Sequence, residues 1–409
     1  MFNNLPGDTH GQLTSMERNL MIPPDQEPMP SRWDSSVDTE SLGQIVGRIT
    51  LLFLRAVIVP AGLASVLSLF ASVWWLADLA VHFRLQYLLI GIIGLLPMLL
   101  LKRWWLSALA ALCIALNFVP VAYYFQPAQA RPVPTTASMV HHAVPPQLSA
   151  TSLATPRRRP VRIASLNVFV LNSNFAGVVA WMQADQPDIV VLVEASKLWQ
   201  QEMRQRATAW PYQHLISRPG RSGKLIMSRL PIAQIDLVDE SPIRSPTPVA
   251  TFALPGAPFR LAVIHTIWPM GEARTAARDH SLIGLRQIAR TGELPLIAMG
   301  DFNISPFSPR FAPIVSDGVL RRATAGRGWL PTWPVFFPAA GIQIDHLLVT
   351  PTVAVDAVRT RSELGSDHRA VIADLQIPMT DSPAKRANQR QAATKRQKLL
   401  RAGNDFPAQ

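Results

Sequence analysis

The sequence has 409 residues, too many for one small domain and enough for a membrane segment beside one large core. Hydrophobic residues make up 48 % and the mean hydropathy is positive, high for a soluble protein, so spanning helices are the first thing to look for. A formal net charge of +12 and a pI near 10.7 suit contact with anionic headgroups or polyphosphates, and equally suit basic residues that only set membrane topology. The single cysteine, Cys113, lies inside an apolar run, which excludes an internal disulfide and a cysteine metal cluster and leaves cytosol and periplasm open.

In chain order, residues 1–43 are polar, carry Pro23, Pro24, Pro28 and Pro30, and are predicted to be disordered, with no signal-peptide pattern. Residues 44–126 form the predicted membrane segment, with three transmembrane helices at about 56–80, 87–101 and 104–126. Asp78 stands beside Trp74 and Trp75, where an interfacial belt would place it. Arg48, Arg55, Lys102 and Arg103 outnumber Arg84 and Arg131 on the other side, so the N-terminus is expected in the cytoplasm. Three crossings then put the rest outside it, in a bacterium in the periplasm at the inner membrane. Residues 127–160 are a linker rich in Pro and Ala that ends in Arg157, Arg158 and Arg159.

From residue 161 to 377 short β-rich runs take over: VRIASLNV, DIVVLVE, KLIMSRL, FRLAVIH, PLIAMGD, IDHLLVT and AVIADL. Helical patterns fall at about 174–185, 196–207 and 272–290, so this stretch reads as one α/β domain. Residues 378–409 read as a basic disordered tail.

Several of these strands end in polar residues that apolar packing does not explain: Asn167, Glu194, His265, and Asp301 followed by Asn303. GIQIDHLLV adds Asp345, and GSDHRAV adds Ser366, Asp367 and His368. A buried carboxylate needs a partner, and carboxylates repeated at strand ends imply convergence on a cation, a hard one such as Mg²⁺ or Mn²⁺. Asp301 and Asn303, two apart on an extended chain, are expected on one side, where they can orient a water or a phosphoryl oxygen. His346 is expected to face the other way and to be structural.

The motifs GDFN, IDH and SDHR, in that order after strand ends LN and VLVE, resemble the endonuclease/exonuclease/phosphatase superfamily over residues 161–377. GDFN followed by SP and then PTWP is similar to its membrane-anchored bacterial members. The resemblance implies a four-layer α/β/β/α sandwich of two mixed sheets, here preceded by three transmembrane helices. It implies a metal-dependent hydrolase of phosphate esters using Mg²⁺ or Mn²⁺. By family position Glu194 is the main metal ligand, with Asn167 and Asp367 beside the metal. Asp301 orients or deprotonates the attacking water, Asn303 contacts the phosphate, and His368 stabilises charge on the phosphoryl oxygens. Asp345 fixes the tautomer of His368, and His265 matches a position that is His or Tyr in different branches.

Arg218 and Arg221 are candidate substrate-phosphate contacts, and Trp333, Phe336 and Phe337 a candidate apolar rim. The membrane segment favours a lipid or lipid-linked ester. The absence of a basic insertion with interleaved aromatics weakens, without removing, nucleic acid as substrate. A catalytically silent binding module tethered to the bilayer is the alternative of another class.

Overall fold

In a computed structural model of the chain, residues 42–127, 157–217, 223–238, 246–362 and 364–379 are described. The expected tails and most of the expected linker lie outside these residues, as do Arg218 and Arg221. The chain divides into Met1–Leu52, whose described residues belong to the first helix, and Phe53–Gln409.

The apolar first part forms helices α1 (Leu42–Leu67), α2 (Trp75–Val81), α3 (Arg84–Leu100) and α4 (Trp104–Tyr124). Among the described residues, two stretches are long and apolar enough to cross a membrane, Leu42–Phe70 and Trp104–Tyr124; α2 and α3 together pass the same test but are bent by 58°. The expected first span at 56–80 is therefore corrected. Its helix starts at Leu42, inside the expected disordered tail, and ends before a turn that leads to an extended Trp74. The reason is Asp78: it is 1 % exposed and bonded to Arg278, not at a headgroup belt. Arg84, expected to mark a loop, is also buried, donating to Leu116 O at 2.9 Å and Asn117 Oδ1 at 3.2 Å. Small residues let these helices approach closely. A Cβ at Gly94 would stand 2.7 Å from Ile58 Cδ1, and one at Gly91 2.7 Å from the Ala110 carbonyl oxygen.

The α/β part begins with β1 (Arg158–Asn167), so the linker ends earlier than expected. There follow α5 (Phe175–Asp185), β2 (Ile189–Ala195), α6 (Lys197–Arg206), β3 (Tyr212–Ile216), β4 (Gly223–Ser228) and β5 (Gln234–Val238). Next come β6 (Thr247–Phe252), β7 (Phe259–His265), α7 (Glu272–Thr291), β8 (Leu296–Asp301) and α8 (Ala312–Val315). The chain closes with β9 (Arg321–Arg322), β10 (Asp345–Val349), β11 (Ala354–Arg361) and β12 (Ala370–Pro378). One sheet has the order β11-β12-β1-β2-β4-β3, the other β5-β6-β7-β8-β10-β9. Both are mixed: β1 with β2, and β7 with β8, run parallel, and the remaining pairs are antiparallel.

Strand alternation sorts the apolar residues. Ile163, Val191, Leu261, Met299 and Leu347, drawn from both sheets, share one cluster. Ala164 and Leu192 join Trp181 of α5 and Trp199 of α6, while Ala262 and Ala298 join Leu282 and Leu285 of α7. Parity then decides where the strand ends point. Asn167, His265, Asp301 and Asp345 lie an even number of residues from Ile163, Leu261, Met299 and Leu347, on the strand faces that carry this cluster.

Candidate active site

Glu194 has the wrong parity for that face, since Val191 and Val193 already occupy it. A register shift between Val193 and Ala195 and a left-handed backbone (φ 61°) at Glu194 correct the aim. A bulge is the device that turns one side chain without moving the strand. Asn303 is also left-handed (φ 51°), so the extended geometry expected for Asp301 and Asn303 is corrected. Their side chains still meet, because the chain folds back. Asn303 N donates to Asp301 Oδ1 at 2.8 Å, and Asn303 Nδ2 donates to Asp301 Oδ2 at 3.2 Å and to Thr266 O at 3.0 Å. Gly300 makes the approach possible, because a Cβ there would sit 2.0 Å from the Ile264 carbonyl oxygen.

The polar ends form one connected series. Asp345 Oδ2 is 2.8 Å from His368 Nδ1, and His368 Nε2 is 4.0 Å from Asp301 Oδ2. Asn167 Nδ2 donates to Asp301 Oδ2 at 3.2 Å and to Glu194 Oε1 at 3.1 Å. Glu194 Oε2 accepts from Val170 N at 3.1 Å, and Glu194 Oε1 lies 3.6 Å from His265 Nε2. The acidic neighbour of His265 is thus Glu194. Ser366 braces the last loop, donating to Asn167 O and accepting from His368 N. His346 points away and bonds Ile304 O through Nε2 at 2.8 Å.

Charge is unevenly distributed here. Burial opposes ionisation of Glu194, yet His265, Asn167 and His368 hold it down at about 2. Burial and the Asp345 charge push Asp301 up to about 7. Burial works against an imidazolium at His368, but the Asp345 charge and hydrogen bond, then Asp301 and Asp367, push it up to about 10. Asp301, Asp345 and His368 bring possible ligand atoms within 4.8 Å of one another. His368 is a poor ligand there, because Asp345 holds Nδ1 and a protonated ring offers no lone pair. The other acids of the strand ends that could hold a hard cation are Glu194 and Asp367. Oδ1 of Asp367 is buried without a hydrogen-bond partner, while Oδ2 accepts from Trp333 Nε1 at 3.0 Å. Asn167 turns its amide nitrogen, not its oxygen, toward the carboxylates.

Three supports escaped the sequence reading. Thr332 Oγ1 accepts from the Ile344 and Asp345 amides, and Thr266 Oγ1 donates to Phe302 O at 2.6 Å. Arg278, fully buried on α7, reaches Asn303 O at 3.4 Å. Only Thr332 had a neighbouring signal, the PTWP stretch, and there Trp333 proves half-buried while Phe336 and Phe337 are exposed.

The model of the endonuclease/exonuclease/phosphatase family matches residues 164–368, half of the chain, from within β1 to His368. No curated protein matches the sequence. Among solved structures, humanized D. rerio TDP2 is 18 % identical, with 53 % of this chain and 98 % of that one covered and a TM-score of 0.47. An endonuclease/exonuclease/phosphatase from Bacteroides vulgatus is 20 % identical, with 54 % and 99 % covered and a TM-score of 0.46. A mannosyl-6-phosphatase from Bacteroides thetaiotaomicron is 18 % identical, with 53 % and 99 % covered and a TM-score of 0.44.

Proposed function

Since the chain belongs to the endonuclease/exonuclease/phosphatase family, and is thus a hydrolase of phosphate esters, we propose that it is a membrane-anchored, divalent-metal-dependent phosphoesterase acting on a lipid or lipid-linked ester. The observation that carries the chemistry is the series from Asp345 through His368, Asp301 and Asn167 to Glu194. In this reading Asp301 takes a proton from the attacking water, and an acid near 7 suits that task at neutral pH. His368, protonated and held by Asp345, faces the phosphoryl oxygens as charge develops. Asn303 orients the phosphate for in-line attack. Glu194 and Asp367, with Asn167 alongside, would hold Mg²⁺ or Mn²⁺. The cation would supply charge neutralisation at the phosphoryl oxygens.

The apolar cluster between the sheets and the two clusters under α5–α6 and α7–α8 support a four-layer α/β/β/α reading. Three crossings, by α1, α3 and α4, are supported by where helix ends meet the α/β part. Arg310 Nε donates to Ala71 O just after α1, Gln86 Nε2 at the start of α3 donates to Gly341 O, and Tyr124 at the end of α4 donates to Gln343. Lys102 and Arg103, between α3 and α4, then mark the opposite, cytoplasmic side of a bacterial inner membrane.

Exposed apolar residues on the loops that leave the site support an apolar substrate moiety: Leu171, Trp268, Met270, Phe336 and Phe337. Val170, next to Leu171, bonds Glu194, and Val335, next to Phe336, bonds the Asp367 carbonyl. Parallel assays of the purified full chain test the proposal, using bis-(p-nitrophenyl) phosphate, phospholipid vesicles, inositol phosphate and plasmid DNA, with and without chelator. Chelator-sensitive turnover that favours the vesicles is expected. Preference for plasmid DNA contradicts the lipid reading, and turnover unaffected by chelator contradicts the metal.

A further inference from the structure

The stretch after GDFN, Ile304 to Ser308, is gripped by the segment that precedes α3. Asp78 of α2 is 1 % exposed, and its two oxygens accept from Ser308 Oγ and from Arg278 Nη2. His82 Nδ1 lies 2.8 Å from Ser305 Oγ, and Phe307 packs against Tyr124 at the end of α4. Arg278 is held from its other side by Asp279, which accepts from both Nε and Nη2. The remaining nitrogen, Nη1, donates to the carbonyl of Asn303.

That carbonyl belongs to a residue in the left-handed region, where a side chain with a Cβ rests only if its surroundings over-determine it. The constraint is divided. Asp301 and Thr266 hold the Asn303 side chain and amide from within the site, and Arg278 holds its carbonyl from behind. A guanidinium is a planar fork, so two fixed points aim Nη1. Asp279, adjacent on the same helix, takes Nε and Nη2 on the single oxygen Oδ1 and fixes one point. Asp78 supplies the second point.

We propose that α2 is part of the catalytic apparatus: Asp78, acting through Arg278, is a positioning residue for Asn303. The inference rests on the reading of Asn303 as the phosphate contact. Its consequence is that activity depends on the seating of the membrane segment, not only on the α/β part. The rival is a plain anchor, in which the Asp78–Arg278 pair fastens the two parts together and the loop does not sense it.

The test uses the full chain in detergent, comparing wild type with Asp78→Asn and Asp78→Glu. Hydrogen exchange in the metal-free protein is read at peptides covering residues 302–308 and β2. Steady-state kinetics with bis-(p-nitrophenyl) phosphate follow. Asp78→Asn is expected to speed exchange at 302–308 about tenfold while β2 is unchanged. It is also expected to lower kcat about tenfold or more at unchanged KM, as misplacement of a contact group does, with Asp78→Glu recovering part of both. Unchanged exchange at 302–308, exchange that rises everywhere alike, or an intact kcat overturns the proposal. If Asp78→Asn does not fold, Ser308→Ala carries the test; a loosened loop with lowered kcat is expected, and wild-type values overturn it. Should the wild type hydrolyse no phosphate ester while Asp78→Asn still loosens the loop, the reading of Asn303 fails and the mechanical link to Asp78 stands.

Discussion

Two clusters of buried charge lie on either side of Asn303, and they are balanced differently. At the junction with the apolar helices, Asp78 and Asp279 meet Arg278 and Arg310, two anions with two cations, in ion pairs of 2.7, 2.8 and 2.6 Å. In the site, four acids, Glu194, Asp301, Asp345 and Asp367, gather around two imidazoles, His368 and His265. The first cluster is complete: it joins α2 to the α/β part and, in our proposal, aims Arg278 at the Asn303 carbonyl. The second carries surplus negative charge, which adds to burial in raising Asp301 and leaves one Asp367 oxygen unpartnered. A surplus kept in the interior is costly unless something is to bind there, so the imbalance distinguishes a site from a joint.

Substitutions inside the surplus cluster should have the largest effect, and on turnover. Asp345→Asn and His368→Ala should each lower kcat by about 10²–10⁴-fold, and the double variant should lose little more than either, because the pair acts as one unit. Losses that multiply would show that the two work independently. In the balanced cluster the effect on kcat should be smaller, about tenfold, and should come with a loss of stability. Asp78→Asn should cost about 3 kcal/mol by leaving Arg278 short of an anion, with or without metal, read by thermal or denaturant unfolding of the full chain. Asp367→Asn should leave the metal-free protein as stable as wild type and reduce only the stabilisation that added metal provides.

Protonation sharpens the same contrast. The His368 value is raised from 6.5 to about 10, so its contribution to stability is full below about 6.5 and is lost as pH rises through about 10. The metal-free wild type should therefore lose stability between neutral and alkaline pH more steeply than His368→Gln. Imidazole resonances in a nitrogen–proton NMR titration should show that ring protonated at pH 8, and Asp345→Asn should bring its midpoint down. The smallest effect is expected at the rim. Phe336→Ser with Phe337→Ser should lower turnover on vesicles about severalfold and leave the soluble ester unaffected; equal losses on both would make the pair structural.

How much of this was legible follows from the local physics. Short apolar runs closed by a polar residue, such as β1 and β8, announced both the strands and the residues Asn167 and Asp301 that end them. Edge strands with weaker patterns, β3, β5 and β11, did not. Glu194 and Asn303 were identified as site residues, but the left-handed turns that aim them leave no mark in composition. Asp78 was misplaced because an acid beside two tryptophans reads as interfacial. Its partner Arg278 sits on a polar helix 200 residues away, and no periodicity links the two. A long-range ion pair is a property of packing, and packing is what a single sequence conceals.

The central claim is that surplus charge marks the cation site and balanced charge the joint. Calorimetric titration of Mn²⁺ into the full chain tests it most directly, with Glu194→Gln and Asp78→Asn measured beside the wild type. Saturable binding by wild type and by Asp78→Asn, and its loss in Glu194→Gln, is the predicted result. Equal binding by Glu194→Gln, or no binding by the wild type, would contradict it.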